Sequence, residues 1–182
     1  MSDLTNDKTS RRNLWRVAGW GAAVLLLLVP LIAMQFTDEV AWDGEDFIFA
    51  AIMFVLVGIG LELASRHPGG RPYFVASALA ILASFLTIWI NLAVGIIGNE
   101  GNPMNLMFFG VLVIALGSAI LARLQPGGMA KAMVATAIAQ AIVFLAALLM
   151  GEFIPGVSLF FGGLWLIAAV FYHRAASRHI AD

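Results

Sequence analysis

The sequence predicts an all-α fold, an integral membrane bundle of six transmembrane helices with both termini in the cytoplasm. Three observations lead there. Of the 182 residues, 62% are hydrophobic and 12% charged, against about 45–50% and about 25% in a soluble domain. The apolar residues gather in runs that match the span of a bilayer, about 20 residues for about 30 Å of hydrocarbon. The charges are sorted by side. All ten Lys and Arg (Lys8, Arg11, Arg12, Arg16, Arg66, Arg71, Arg123, Lys131, Arg174, Arg178) fall in the tails and alternate turns, or in the ends of the runs beside them. The remaining loops carry Asp38, Glu39, Asp43, Glu45, Asp46, Glu100 and Glu152 and no basic residue. By the positive-inside rule those acidic loops face outward.

Taken in order, residues 1–13 form a polar, basic tail that the sequence predicts to be poorly ordered. The membrane domain spans residues 14–172. Its first apolar run, Val17–Phe36, follows a basic start, so a cleaved leader is the rival reading; the run is long for one, and Leu31 and Ala33 make a mediocre cleavage pattern. Thr37–Asp46 is the first outer loop. Phe47–Ala64 is the second predicted helix and Ser65–Pro72 a turn containing Pro68-Gly69-Gly70. Tyr73–Ile97 is the third and longest of the predicted helices.

Gly98–Asn105 is a polar run between that helix and the fourth, Leu106–Leu124. A second Pro-Gly-Gly turn, Pro126–Gly128, precedes the fifth helix, Ala130–Met150. Gly151–Gly156 is a turn, Val157–Tyr172 the sixth helix, and residues 173–182 a basic cytoplasmic tail. Trp15, Trp42 and Trp89 lie near helix ends, where interface-anchoring aromatics sit. The two Pro-Gly-Gly turns, and Phe108-Phe109-Gly110 with Phe160-Phe161-Gly162, suggest helical hairpins repeated in parallel.

Several chemistries are excluded. The chain has no cysteine, which removes thiolate nucleophiles, disulfides, iron–sulfur clusters and Cys-ligated zinc. His67, His173 and His179 all lie in a cytoplasmic turn or tail, so no haem, zinc or serine-hydrolase site can be built from histidine within the bilayer. No nucleophile–base pair is visible and no cofactor is called for, so an enzyme is not expected. A net charge of −1 speaks against nucleic acid. The expected partners are the lipid bilayer, a small solute or cation at the outer face, and a lateral membrane protein or a second copy of the chain.

Polar residues inside or beside the apolar runs are the candidate sites. Glu62 is an acid within an apolar helix, open to a relay role or to pairing with Arg66 one turn on. Gln140 lies near mid-depth in the fifth helix, where it can contact a solute or hydrogen-bond a neighbouring helix. Small residues around it (Ala132, Ala135, Ala139, Ala146) predict that this helix packs centrally. At the outer end, Asn91 should face the bundle, because an amide is costly against lipid. Its expected partners are Asp46, Glu100 or the backbone of Gly98–Asn105. With Asn99, Asn102 and Asn105 these would make a polar pocket opening outward, unless Asn91 simply pins the loop. Asn102 is the expected N-cap ahead of Pro103. The outer acids offer oxygen ligands to a cation or form a solvated face.

Three stretches together resemble a group of small, uncharacterised bacterial multi-pass inner-membrane proteins. They are Phe36–Trp42 with Asp46-Phe47; Asn91–Gly98 with Glu100 and Asn102-Pro103; and Ala122-Arg123 with Pro126 and Gly128–Ala130. The resemblance implies a bacterial inner membrane and carries no activity. Two functions fit: a transporter-like protein handling a small molecule or ion through an outer-facing polar site, or a non-catalytic bundle that stabilises or senses through lateral contacts. They differ in whether Glu62, Gln140 and Asn91 share one polar path.

Overall fold

The computed structural model describes residues 3–37 and 41–178, with side chains over 17–37 and 41–177. All regular structure among them is helical: α1 (Asp3–Ala33), α2 (Gly44–Arg66), α3 (Gly70–Ala93), α4 (Leu106–Leu121), α5 (Pro126–Leu149) and α6 (Pro155–Arg178), with a 3₁₀ turn over Pro103–Asn105 leading into α4. Five of these are long and apolar enough to cross a membrane, the fourth counted with its 3₁₀ turn, and α1 contributes a shorter apolar stretch, Val17–Ala33. The chain divides into two compact units, Met1–Ile59 and Gly60–Asp182.

In the first unit, α1 begins at Asp3, so the expected disorder of residues 1–13 does not hold for the described part of that tail. Neither Gly nor Pro interrupts the chain between Asp3 and Val17, and nothing else there stops a helix. The start of α2 is fixed locally. Asp43 accepts from the backbone N–H of Glu45 (2.8 Å) and Asp46 (3.1 Å) while Asp46 accepts from the Asp43 N–H (2.9 Å). That is a reciprocal capping box. The Trp42 and Phe47 rings meet edge to face at 5.2 Å, the staple that accompanies it. Further along, the Trp20 ring lies against Gly58, where a Cβ would come within 3.0 Å of it. Val24, Leu25, Val29 and Ile32 of α1 stay exposed, as side chains that meet lipid do.

The second unit is built around α5 and α6, which pack most extensively; α3 lies along α6 and α4 along α5, while α3 and α4 touch little. α5 is the most buried span, as its alanines predict: small side chains let backbones approach closely. One apolar cluster joins Tyr73 and Ala76 of α3, Met133 and Ala137 of α5, and Trp165 and Ala168 of α6. A second holds Ile97, Phe108, Val111, Ala139, Val143 and Ala147.

Helix ends depart from expectation in instructive ways. α5 starts at Pro126, not at residue 130, because proline at the first helical position lacks only an N–H that would go unpaired anyway. The two Pro-Gly-Gly motifs therefore play different parts: the first holds the turn before α3, the second is the first turn of α5. The Phe-Phe-Gly motifs also differ, with Phe108 buried in one and Phe161 in the other while Phe160 is exposed. α6 continues to Arg178, so the described part of the basic tail is helical. α3 stops at Ala93, four residues short of the predicted end, and that early stop shapes the site.

Candidate functional site

The segment from Val94 to Asn105 is a compact re-entrant loop. The N–H groups of Val94 and Gly95 both reach back to the Ile90 carbonyl, at 3.1 and 2.9 Å, and Gly95 turns left-handed at φ 73°. A Cβ on Gly95 would lie 2.3 Å from the Asn99 carbonyl, so the returning chain passes directly over it. Asn105 holds the loop shut. Its Oδ1 accepts from the Ile96 and Ile97 N–H groups (3.1 and 2.8 Å), and its Nδ2 donates to the carbonyls of Ile97 (3.3 Å) and Asn99 (2.7 Å). Ile97, 1% exposed, is thereby pressed into the cluster with Phe108, Val111 and Val143. The remaining amides are also spent locally: Asn102 Oδ1 accepts from Met104 N–H (3.0 Å), the predicted cap, and Asn99 Oδ1 from Gly101 N–H (3.1 Å).

These bonds correct the expected outward pocket. Asn91 is buried, 3% exposed, but its Nδ2 donates to the Thr87 carbonyl of its own helix at 2.7 Å. Its Oδ1 has no partner among the described residues, so neither Glu100 nor the Gly98–Asn105 backbone serves it. Asp46 belongs to the first unit and caps α2. Asn99, Asn102 and Asn105 are loop fasteners because a chain reversing at a helix end must satisfy its own backbone groups. No three acids or histidines gather to hold a cation among the described residues; Asp38, Glu39 and His179 lie outside them. Glu62 is paired: Arg66 donates to its Oε1 through Nη2 (2.6 Å) and Nε (2.9 Å), the i, i+4 geometry expected of Glu before Arg.

The unspent polarity lies deeper, between α3, α5 and α6. Gln140 is 1% exposed and neither its Oε1 nor its Nε2 has a partner among the described residues; the same holds for Asn91 Oδ1, Ser158 Oγ and Trp165 Nε1. The expected hydrogen bond from Gln140 to a neighbouring helix is therefore not made. By contrast Thr87 and Thr136 donate to carbonyls of their own helices, Ala83 and Ala132.

Two antiparallel stripes relate these groups. Ser77, Ser84 and Asn91 are seven residues apart on α3; Tyr172, Trp165 and Ser158 are seven apart on α6. Residues at that spacing share a helix face. The Ser77–Tyr172 hydroxyl bond at 2.9 Å sets the register, putting Ser84 level with Trp165 and Asn91 level with Ser158. A Cβ on Gly127 would meet that of Ala176 at 3.9 Å, which places Gln140 level with Gly163, about 3 Å along the axis from Trp165. On an ideal helical rise, Gln140 and Trp165 fall near one level and Asn91 and Ser158 near a second, about 7–10 Å nearer the loop. Ser158 and Trp165 escaped the sequence reading; their spacing from Tyr172 was the available signal.

The opposite end is closed by aromatics. Tyr73 donates to the Leu124 carbonyl at 2.8 Å and meets Tyr172 edge to face at 5.0 Å, and His67 stacks on Tyr73 at 3.6 Å. Leu124 and Arg123 both adopt left-handed backbone (φ 58° and 49°) in the turn that presents this carbonyl. Along the helices the unpaired polar groups thus lie between the tyrosine layer and the Val94–Asn105 loop.

Long apolar helices with exposed Leu, Ile and Val along them define a membrane-embedded helical bundle. No family model, curated protein or solved structure matches the chain, so a function must be argued from its own residues.

Proposed function

We propose that this is a transporter-like membrane protein that handles a small solute held inside the bundle, between α3, α5 and α6, and not in an outward-facing loop pocket. The observation that carries this reading is Gln140, a carboxamide buried near the middle of a long apolar helix with neither its Oε1 nor its Nε2 paired among the described residues. Each unpaired group of that kind costs about 1–3 kcal/mol, and a bound polar solute offsets the cost. The loop pinned by Asn105 at one end of the helices and the Tyr73–Tyr172 layer at the other suit a site that is opened from either face in turn. The lysines and arginines sort as they do in a six-span inner-membrane protein with both termini cytoplasmic. Reporter fusions at Pro68 and Gln125 should then read cytoplasmic, and fusions at Gly101 and Glu152 periplasmic.

The test of the solute reading is thermal unfolding of the purified chain in detergent against a panel of neutral, cationic and anionic small molecules. At least one should raise the melting temperature of the wild type and leave Gln140→Leu unmoved. If no member does so, and the variant is simply more stable, the interior carries no solute.

A second reading, a non-catalytic bundle acting by lateral contact, draws on Gly110 and Gly117. They share a face of α4, and a Cβ at either would meet nothing within 4 Å. Such a surface lets another helix approach closely. Because the chain lacks cysteine, Gly110→Cys tests it without background: a disulfide-linked dimer in native membranes would favour the lateral role.

A further inference from the structure

Resting on the solute reading above, we infer that the solute is uncharged and presents a carboxamide-type edge, a carbonyl oxygen beside an N–H, as in a primary amide, a lactam or a ureide. The unpaired atoms specify this. Gln140 offers an acceptor, Oε1, next to a donor, Nε2, both buried and unmatched. A partner that satisfies both in one contact must carry a donor next to an acceptor in the reverse order. Trp165 Nε1 on α6 is a further unmatched donor among the described residues, and a solute oxygen, with two lone pairs, has capacity for a second donor beside Gln140 Nε2. At the loop end, Asn91 Oδ1 accepts and the Ser158 hydroxyl can donate or accept. That pair extends the choice to solutes with a second polar group about 7–10 Å away.

Charge is selected against by the same residues. The buried polar side chains among those described are Ser77, Thr87, Asn91, Asn105, Thr136 and Gln140, and none carries a charge. An ion brought here would give up its water without a counter-charge, which is far more costly than burying a neutral amide. A carboxylate would set oxygen against Gln140 Oε1, and an ammonium would leave Gln140 Nε2 and Trp165 Nε1 unmatched, because it has no acceptor. An ester supplies an oxygen for the donors and nothing for Oε1. This discrimination resembles other sites built to hydrogen-bond: an analogue that leaves a buried partner unpaired is rejected strongly.

The experiment uses the full chain in detergent micelles, with acetamide and 2-pyrrolidone as amide probes and acetate, methylammonium and methyl acetate as matched controls. Probes this small bind in the millimolar range at best, so each is titrated to tens of millimolar. At about ten times Kd an amide probe should raise the melting temperature by about 4 °C, and the three controls by less than about a quarter of that. Gln140→Leu should abolish the rise, with Gln140→Met as the flexible isostere if the leucine variant does not fold. Trp165→Phe should weaken the amide affinity about tenfold, the loss of one hydrogen bond. A rise with acetate or methylammonium that Gln140→Leu removes would overturn the amide assignment and leave the interior solute site standing. A flat response to every probe, charged or neutral, would overturn both.

Discussion

Replacing Asn105 by alanine should spring the 94–105 loop while leaving the helices folded. Four backbone groups depend on that one side chain: the N–H of Ile96, both the N–H and the carbonyl of Ile97, and the carbonyl of Asn99. The Ile97 groups are buried, so orphaning its N–H costs about 1–3 kcal/mol. Ile96 is half-buried and Asn99 exposed, and each of their lost bonds costs about 0.5–1.5 kcal/mol because water can substitute. Taken at the middle of these ranges the loop loses about 4 kcal/mol, less than the roughly 5–15 kcal/mol that holds a whole domain together, so opening is local. Its equilibrium constant rises by about three orders of magnitude. The cysteine-free sequence supplies the assay: Ile97→Cys is a single buried thiol whose reaction with a membrane-impermeant maleimide reports the open fraction. Labelling of Ile97→Cys should be slow alone and at least a hundredfold faster beside Asn105→Ala. Asn105→Asp should fall between, since a carboxylate still accepts the two N–H groups but repels the two carbonyls. Equal labelling rates in the presence and absence of Asn105→Ala would refute the pinning role.

Gly95→Ala should open the same loop by a different route, since a methyl there meets the Asn99 carbonyl at 2.3 Å with φ at 73°; Ile97→Cys labelling should rise at least as far as with Asn105→Ala. Glu62→Gln should change the unfolding free energy in detergent by less than about 1 kcal/mol, because the Arg66 pair lies at a helix surface; a loss above about 2 kcal/mol would mean the carboxylate holds something else. Asp43→Ala should cost about 1 kcal/mol through the N-cap of α2, read as faster hydrogen exchange at the Glu45 and Asp46 amides. Arg123→Gly should raise the melting point slightly, by relieving about 1 kcal/mol of left-handed backbone.

What the sequence makes legible here is local. The Glu62–Arg66 pair, the Asn102 cap and the central place of α5 each follow from residues within a turn or two of one another. The end of α3 does not. Ile96 and Ile97 continue an apolar run that any periodicity rule extends, and the helix breaks before them because Asn105 takes their N–H groups from eight and nine residues away. Asn91 illustrates the same limit: its burial is legible, since an amide avoids lipid, but which atom stays unpaired depends on what α6 brings opposite. Gln140 was expected to find a neighbouring helix, yet neither its Oε1 nor its Nε2 has a partner among the described residues. The α3–α6 seam then carries the functional argument further than any single residue. Its three levels are built on one heptad spacing, but only the level at the tyrosine end is joined across the seam, by Ser77 and Tyr172. At the other two, Trp165 Nε1, Asn91 Oδ1 and Ser158 Oγ are left over. A seam that needed only to hold would repeat its closed rung. One that closes at a single end and leaves donors and acceptors unpaired among the described residues along the rest fits the polar guest proposed above, with Gln140 on α5 as a further unpaired group.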